Sequence, residues 1–235
     1  MNEEGKFIVT FDPIDGSSVI DSNFAVGSVF GIWENSDIIG KRGKDMVGAA
    51  LSCYGTRTTL ICYNSSYGHV EEQTLVKIGK KEKWIVTNPK IELATKAKLF
   101  SFATRGIYDN PTLWKIYEQY ICAGLSLRYS GCAALDINQI FVKKQGIYLK
   151  LHTIAHPSRL CLLYEILPYA FLIEKAGGKA TDGHRDIMDI EIKDYTQKVN
   201  FIGGSSEDVE YVGRELSDEP ANVSGKKGSF AKFDV

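Results

Sequence analysis

Residues 7–18 combine an apolar strand pattern with a short acidic turn. Residues 7–11, with the sequence FIVTF, are mostly apolar and predict a buried β-strand. Asp12 and Asp15 follow directly, and the sequence Gly-Ser-Ser occupies residues 16–18. A strand that ends in carboxylates, backbone N–H groups and hydroxyls suits a joint site for a hard cation and a phosphate. The cation needs oxygen ligands, and the phosphate needs hydrogen-bond donors.

The same turn has a plainer interpretation, because Asp-Pro and Asp-Gly pairs are common in turns that bind nothing. The residues after the second aspartate favour the binding site. Backbone N–H groups of Gly16, Ser17 and Ser18 could together form an anion nest. The backbone carbonyl of Ile14, between the two aspartates, is expected to face the same cation.

Glu165 lies within residues 160–167, part of the most apolar stretch of the chain. A carboxylate is costly to bury there unless it is paired or bound to a metal. It could instead face solvent at a sheet edge or form an ion pair with a lysine or arginine. As a third ligand, it would complete an acidic cluster with Asp12 and Asp15.

Two arginines are candidates for binding a second phosphate. Arg128 and Tyr129 follow an extended segment and precede Gly131. Because a guanidinium can bind two phosphate oxygens at once, the pair could hold a second, distal phosphate. The alternative is a surface arginine beside a packed tyrosine. Arg159 immediately precedes the apolar stretch around Glu165 and would place a further cation near a substrate with two anionic ends.

Composition excludes several classes of function. The 235 residues are 44% hydrophobic and 24% charged, as in soluble globular proteins, and the formal net charge is −1. This charge implies no general attraction to nucleic acid or to an anionic membrane. No apolar run approaches the roughly 20 residues that span a bilayer. The first residues resemble neither a signal nor a transit peptide. We expect a soluble protein, and the sequence does not decide between the cytoplasm and a plastid.

Other cofactor and redox motifs are missing from the sequence. The five cysteines form no CxxC pair, and we interpret them as reduced, partly buried thiols. The four histidines lack metal-binding spacing, and we assign them no catalytic role. The sequence contains neither a P-loop nor a GxGxxG motif, which argues against a nucleotide site.

Strand-like and helix-like segments alternate along the chain and predict a layered α/β or α+β fold. Strands are predicted at residues 26–33, 58–63, 146–149 and 199–202, with a hairpin over 71–90 that turns at 79–81. Helices are predicted at residues 46–51, 111–121 after the N-cap Asn110, 133–142, 160–176 with a kink or restart at Pro168, and 207–216. Residues 217–235 lack apolar periodicity, and we expect a disordered tail there.

Six ordered motifs resemble those of the sugar bisphosphatases, namely fructose-1,6-bisphosphatase and sedoheptulose-1,7-bisphosphatase. The motifs are FDPIDGSS, VGSVFGIW, CYGTRTT, LRYSG, LLYE and EKAGG, and the resemblance covers roughly residues 5–216. The segments GTRTT at 55–59 and DINQI at 136–140 are closer to sedoheptulose-1,7-bisphosphatase. The resemblance implies that residues 1–216 form one sugar bisphosphatase domain, a layered α/β/α sandwich that lacks the N-terminal part.

The resemblance also implies the chemistry and the residues that perform it. The expected reaction is Mg²⁺-dependent hydrolysis of the C1 phosphate of a sugar bisphosphate, with sedoheptulose 1,7-bisphosphate preferred. Two or three Mg²⁺ ions, or Mn²⁺ in their place, would activate water for in-line attack without a covalent intermediate. The implied metal ligands are Asp12, Ile14 through its carbonyl, Asp15 and Glu165, of which the three carboxylates are catalytic. The implied phosphate- and substrate-binding residues are Gly16, Ser17, Ser18, Arg128, Tyr129, Gly131 and Arg159.

Some features depart from the family pattern. Thr104 stands where the family has a distal-phosphate asparagine, Cys161 where an arginine is usual, and Arg159 where a lysine is usual. In the family, the first motif follows a long section with further metal-binding carboxylates, whereas here it begins at residue 11. We therefore expect an N-terminally truncated chain with very weak activity or none.

Several alternatives stay open at this stage. The substrate could be fructose 1,6-bisphosphate, or the chain could be an inactive truncated paralogue that acts as a subunit or remnant. An inositol-phosphatase-like enzyme shares the DPxDG pattern, but the motifs LRYSG and LLYE argue against it. A homo-oligomer, dimer or tetramer, is implied, and in the family the arginine of the LRYSG motif often reaches across a subunit interface.

Overall fold

The first half of the described chain folds into a six-stranded antiparallel sheet. The structure is a computed structural model, and it describes residues 5–34, 37–105, 107–153, 156 and 160–217. The strands lie side by side in chain order. They are β1 (Phe7–Asp15), β2 (Val26–Glu34), β3 (Met46–Tyr54), β4 (Thr58–Asn64), β5 (His69–Ile78) and β6 (Lys81–Ile91). The predicted strands at β2 and β4 and the predicted hairpin β5–β6 are confirmed. The hairpin turn is shorter than expected, because Ile78 already pairs with Lys81.

The predicted helix at residues 46–51 is wrong, since these residues belong to β3. The segment is rich in small residues, including Gly48, Ala49 and Ala50, whose sequence resembles a close-packed helix. In the structure they form a central strand between β2 and β4. Small side chains there let α3 (Leu167–Lys175) approach the sheet closely. Burial in the sheet thus overrides the helix preference of alanine, which is a weak local effect.

The strand predicted at residues 7–11 exists, but it is not buried on both faces. Phe7, Val9 and Phe11 are 57%, 53% and 53% exposed. They share the outer face of β1, and β1 is an edge strand. Because side chains alternate between faces along a strand, only Ile8 and Thr10 turn towards the protein interior.

The second half forms a mixed five-stranded sheet. Its strands are β7 (Leu99–Phe102), β8 (Ser126–Leu127), β9 (Ile147–Lys150), β10 (Lys179–Thr181) and β11 (Phe201–Gly204), in the order β10-β11-β9-β7-β8. β7 is parallel to β8 and β9, and the other pairs are antiparallel. The sequence predicted β9 and the first half of β11. It missed β7, β8 and β10, which are short and carry little periodicity.

Four α-helices of the described residues complete the layers. They are α1 (Pro111–Cys122), α2 (Ala133–Lys143), α3 and α4 (Ser206–Ser217). Helices α2 and α3 pack between the two sheets, and α1 and α4 cover the far side of the second sheet. The predicted layered α/β fold is therefore confirmed, with the layers in the order sheet, helices, sheet, helices. In the described part of the chain, no helix has the length and apolarity needed to cross a membrane.

Local sequence signals account for the helix starts. The Asn110 side chain accepts a hydrogen bond from the backbone N–H of Leu113 at 2.9 Å, as expected for an N-cap. Residues 160–176 do not form one helix. A π-helical turn covers Leu162–Ile166, and α3 then starts with Pro168 in its first turn. Ser217 is the last residue of α4, and the remainder of the predicted tail lies outside the described residues.

Candidate active site

A β-bulge at the end of β1 brings Asp12 and Asp15 onto the same face. Asp12 pairs with Val29 and Asp15 with Gly27, so β1 has one more residue than β2 over this interval. In a regular strand, residues three apart point to opposite faces. The extra residue reverses that alternation, and both carboxylates point towards the inner side of the sheet.

Hydrogen bonds hold the loop between the two aspartates. Oδ1 of Asp12 accepts the backbone N–H of Ile14 at 3.0 Å. From β2, the hydroxyl of Ser28 donates to the carbonyl of Pro13 at 2.7 Å. The turn is thus fixed both by its own aspartate and by the neighbouring strand.

Asp15 is buried, with 8% of its surface exposed, and is held by donors from two helices. The hydroxyl of Tyr169 on α3 donates to Oδ2 at 2.8 Å, and the backbone N–H of Ala134, in the first turn of α2, donates to the same oxygen. The thiol of Cys132 lies 3.8 Å from it. Burial raises the pKa of Asp15, and the hydrogen bonds from Ala134 and Tyr169 oppose this shift.

Glu165 approaches the same point from the π-helical turn before α3. Its Oε2 accepts the backbone N–H of Cys161 at 2.6 Å, and 8% of the residue is exposed. The pKa of Glu165 is raised to about 7. Burial is the largest cause, the charges of Asp15 and Asp12 add to the rise, and the hydrogen bond from Cys161 opposes it. Single π-helical turns occur frequently at functional sites.

The three carboxylates form one cluster. One oxygen from each of Asp12, Asp15 and Glu165 lies within 4.8 Å of the others. Negative charges this close repel one another, and burial strengthens the repulsion. A bound divalent cation would remove that repulsion. Carboxylate oxygens are also the ligands that Mg²⁺ and Mn²⁺ prefer, so the residues fit such a cation.

Gly16 makes the sharp turn that follows the second aspartate. Its φ is +94°, in the left-handed region that favours glycine, and a 3₁₀ turn over Ser17–Val19 follows. A side chain at Gly16 would come within 2.8 Å of Cys132. Ser17 and Ser18 are exposed, and N–H groups at the start of such a turn have no partner within it.

A cleft of about 360 Å³ opens beside Asp15, and its walls carry polar and cationic groups. The residues that line it and that the sequence singled out are Asp15, Ser18, Tyr129 and Gly131. Three further lining residues have basic side chains: Arg105, Lys150 and His156. Sequence reasoning missed these three, and it assigned the histidines no role. Only Lys150 could have been found from the sequence, because it is a charged residue at the end of an apolar strand, β9, as Asp12 and Asp15 are at the end of β1.

Two predicted cations are not part of this cleft as described. Arg128 is exposed and does not line the cleft, although its backbone N–H donates to the carbonyl of Phe100 at 2.9 Å and so continues the pairing of β8 with β7. Arg159 lies outside the described residues. Thr104, the counterpart of the family asparagine, is exposed and directly precedes Arg105.

Two models of known protein families match most of the chain. Residues 1–89 match the family described as "Fructose-1-6-bisphosphatase, N-terminal domain", and residues 93–216 match the corresponding C-terminal domain. Together, the two matches include the acidic cluster and the residues that line the cleft.

Individual relatives carry two enzyme names. A chloroplastic sedoheptulose-1,7-bisphosphatase of Spinacia oleracea is 37% identical over 207 residues, which are 88% of this chain and 52% of the relative. A class 1 fructose-1,6-bisphosphatase of Campylobacter curvus is 37% identical over 210 residues, which are 88% of this chain and 68% of the relative. The chain thus spans about half the length of the chloroplastic relative.

A solved structure shares the fold. The fructose-1,6-bisphosphatase of Leishmania major, in its T-state, superposes with a TM-score of 0.80 at 31% identity. The match covers 92% of this chain and 72% of that structure.

Proposed function

Because the chain belongs to the fructose-1,6-bisphosphatase family, we propose that it hydrolyses the C1 phosphate of a sugar bisphosphate in a Mg²⁺-dependent reaction. The observation that carries the proposal is the acidic cluster of Asp12, Asp15 and Glu165, whose member Asp15 lines a cleft together with Arg105 and Lys150. A substrate with a phosphate at each end needs such a division. One phosphate reacts beside the cation, and the other binds to fixed positive charges.

The residues of the acidic end hold the cation and the reacting phosphate. Asp12, Asp15, Glu165 and the carbonyl of Ile14 are the proposed ligands. When bound by these residues, two or three Mg²⁺ ions would supply the positive charge for polarising the phosphoryl group, activating water and stabilising the leaving oxygen. Backbone N–H groups of residues 16–18 hold the phosphoryl oxygens during attack.

The other residues of the cleft bind the distal phosphate. Tyr129 offers a hydroxyl, and Lys150 and Arg105 offer charge. We retain Arg128 and Arg159 as predicted substrate ligands. An exposed Arg128 agrees with a role at a subunit interface, and the homo-oligomer stays a prediction.

We propose sedoheptulose 1,7-bisphosphate as the preferred substrate, with fructose 1,6-bisphosphate as the alternative. The support is the pair of segments GTRTT and DINQI, which are closer to sedoheptulose-1,7-bisphosphatase. Overall identity does not separate the two, since relatives with either name are 37% identical. The two segments also lie close together in the structure. Arg57 of GTRTT and Asn138 of DINQI line the same shallow pocket between β3 and α2.

The test is release of inorganic phosphate from the two bisphosphates by the purified 235-residue chain, with and without Mg²⁺. From a chain that spans only part of the length of its relatives we expect weak release that needs Mg²⁺, with a higher kcat/KM for sedoheptulose 1,7-bisphosphate. The matched variant is Asp15→Asn, which keeps the shape of the side chain but loses its charge. Equal turnover by Asp15→Asn would contradict the assigned site. A higher kcat/KM for fructose 1,6-bisphosphate would contradict the substrate preference alone.

One observation favours a second candidate, a non-catalytic subunit. The outer face of the first sheet exposes Phe7, Val9 and Phe11 on β1, and the strand register places Trp84 and Val86 of β6 on the same face. Open apolar faces of this kind typically contact another polypeptide. Absence of phosphate release from both substrates, with Mn²⁺ binding retained, would favour this candidate over hydrolysis by the chain itself.

A further inference from the structure

A tyrosine hydroxyl reaches the acidic cluster from the protein interior. Tyr169 is fully buried on α3, where its ring packs against Phe201 at a centroid distance of 6.3 Å. Its hydroxyl donates to Oδ2 of Asp15 at 2.8 Å. The ring does not line the cleft, so Tyr169 has no route to substrate in this arrangement. Any effect of Tyr169 on chemistry must therefore act through Asp15.

In the part of this protein that the structure describes, a buried tyrosine does not always have a hydrogen-bond partner for its hydroxyl. Tyr120 is also buried, at 4% exposure, within the core between α1 and the second sheet. Its hydroxyl has no hydrogen-bond partner among the described residues. The fold therefore tolerates a buried tyrosine hydroxyl without a partner. The 2.8 Å contact of Tyr169 is a specific arrangement at Asp15.

The two hydrogen bonds from Tyr169 and Ala134 to the Asp15 side chain go to the same oxygen. Tyr169 and the backbone N–H of Ala134 both donate to Oδ2, and the thiol of Cys132 lies near the same atom. Two donors on one oxygen fix the rotation of the carboxylate about its terminal bond. They leave Oδ1 of Asp15 available for a cation. Ligands held in this way bind metal more tightly than freely rotating ones, because the partner groups set their orientation in advance.

Tyr169 also links two ligands through one helical segment. Glu165 precedes it by four residues, across the junction between the π-helical turn and α3. Residues with this spacing lie on the same side of a helix. A single rigid segment thus carries one carboxylate of the cluster and the group that orients another.

We propose that Tyr169 is a positioning residue for the divalent cation, acting through its hydrogen bond to Asp15. The inference rests on the proposed function, because it assumes that the acidic cluster binds metal. It adds a residue that touches neither substrate nor cation, and it assigns that residue an effect on cation affinity.

The test is a titration of Mn²⁺ into the metal-free 235-residue chain, followed by the electron paramagnetic resonance signal of unbound Mn²⁺. Tyr169→Phe removes the hydroxyl and keeps the ring. We expect Mn²⁺ affinity about 10- to 100-fold weaker, as for other groups that orient metal ligands. Tyr120→Phe is the matched control, since it makes the same change at a buried hydroxyl without a partner, and we expect its affinity within about 2-fold of wild type.

A double-mutant cycle separates an effect through Asp15 from a general loss of structure. Asp15→Asn and the double variant Asp15→Asn, Tyr169→Phe should bind Mn²⁺ equally weakly, because the hydroxyl has no carboxylate left to orient. Unchanged affinity in Tyr169→Phe, or equal losses in Tyr169→Phe and Tyr120→Phe, would overturn the proposal. Absence of Mn²⁺ binding by the wild-type chain would instead overturn the metal site of the proposed function, and this inference with it.

Discussion

Replacing Glu165 with glutamine should stabilise the metal-free protein and at the same time remove its response to metal. Glutamine keeps the size of the side chain and an oxygen that can accept the N–H of Cys161. It removes a buried negative charge that faces Asp12 and Asp15. The two effects have opposite signs, so they can be measured separately in one variant.

The magnitude follows from the pKa of Glu165. Its value rises from 4.5 to about 7, first through burial and then through the neighbouring aspartates. At about 1.4 kcal/mol for each pH unit, this rise corresponds to roughly 3 kcal/mol of unfavourable free energy when the group is fully ionised. Since the side chain can relax partly towards the cleft, we expect Glu165→Gln to raise the free energy of unfolding by about 2 kcal/mol at pH 8.

The pH dependence gives a second signature. The folded protein holds the Glu165 proton to a higher pH than the unfolded chain does. The contribution of protonated Glu165 to the free energy of unfolding is therefore fully present below about pH 4.5, and it is lost as the pH rises through about 7. Wild-type protein in EDTA should lose stability over that interval, and Glu165→Gln should lose about 2 kcal/mol less.

Urea unfolding in EDTA from pH 4 to 8, repeated with saturating Mn²⁺, measures both effects. Glu174→Gln, on the α3 helix that follows this turn, is the matched control. Burial and the nearby Asp186 also raise the pKa of Glu174 to about 7, but Glu174 is not part of the acidic cluster. Both variants should be stabilised in EDTA, and Glu165→Gln alone should lose the stabilisation by Mn²⁺. Lower stability of Glu165→Gln in EDTA at pH 8, or a wild-type response to Mn²⁺, would refute the reasoning.

Three further predictions address the turn, the interior and the cleft. Gly16→Ala should lower the free energy of unfolding by at least about 2 kcal/mol in urea titrations, since it adds a clash with Cys132 to a left-handed backbone. Gly68→Ala, which has the same kind of backbone but open space, should lose only about 1 kcal/mol, and equal losses would exclude the clash. Burial raises the pKa of Asp136 to about 6, so Asp136→Asn should reduce the loss of stability between about pH 4 and 6; an unchanged profile would contradict that shift. Lys150→Met should raise the KM for the bisphosphate about 10-fold in phosphate-release assays while Mn²⁺ affinity stays constant, and an unchanged KM would remove Lys150 from the substrate site.

Local patterns were sufficient for the elements that local interactions define. The N-cap Asn110 and the apolar spacing after it predicted α1, and Leu113 and Ile116 are buried as expected. Ile121, the last residue of the predicted helix, is 47% exposed and lies one residue before the end of α1. The error at β3 has a different origin. Small apolar residues satisfy a helix and a central strand equally well, and only the neighbouring strands decide between them.

Two kinds of site residue could be predicted from the sequence: those that are close together along the chain, and those whose residue type is unusual for the surrounding sequence. Two carboxylates after a strand, and Glu165 in an apolar stretch, are visible in a single sequence. The partners of Asp15 are not, because Ala134 and Tyr169 are 119 and 154 positions away. Both look like ordinary core residues, an alanine and an aromatic on apolar helices. Their roles depend on how α2 and α3 pack between the sheets.

The bulge in β1 explains how the acidic turn can belong to a regular sheet and still form a site. Pro13 lacks an N–H, so it cannot complete the ladder with β2 and marks a place where the pairing must be interrupted. The interruption adds one residue to β1 between Asp12 and Asp15. Without it, one carboxylate would join the exposed face of Phe11 and the other the inner face. Pro13 therefore weakens the edge strand, but it also allows two carboxylates of one strand to meet Glu165. The bulge lies where the pairing of β1 with β2 ends and where the acidic cluster begins.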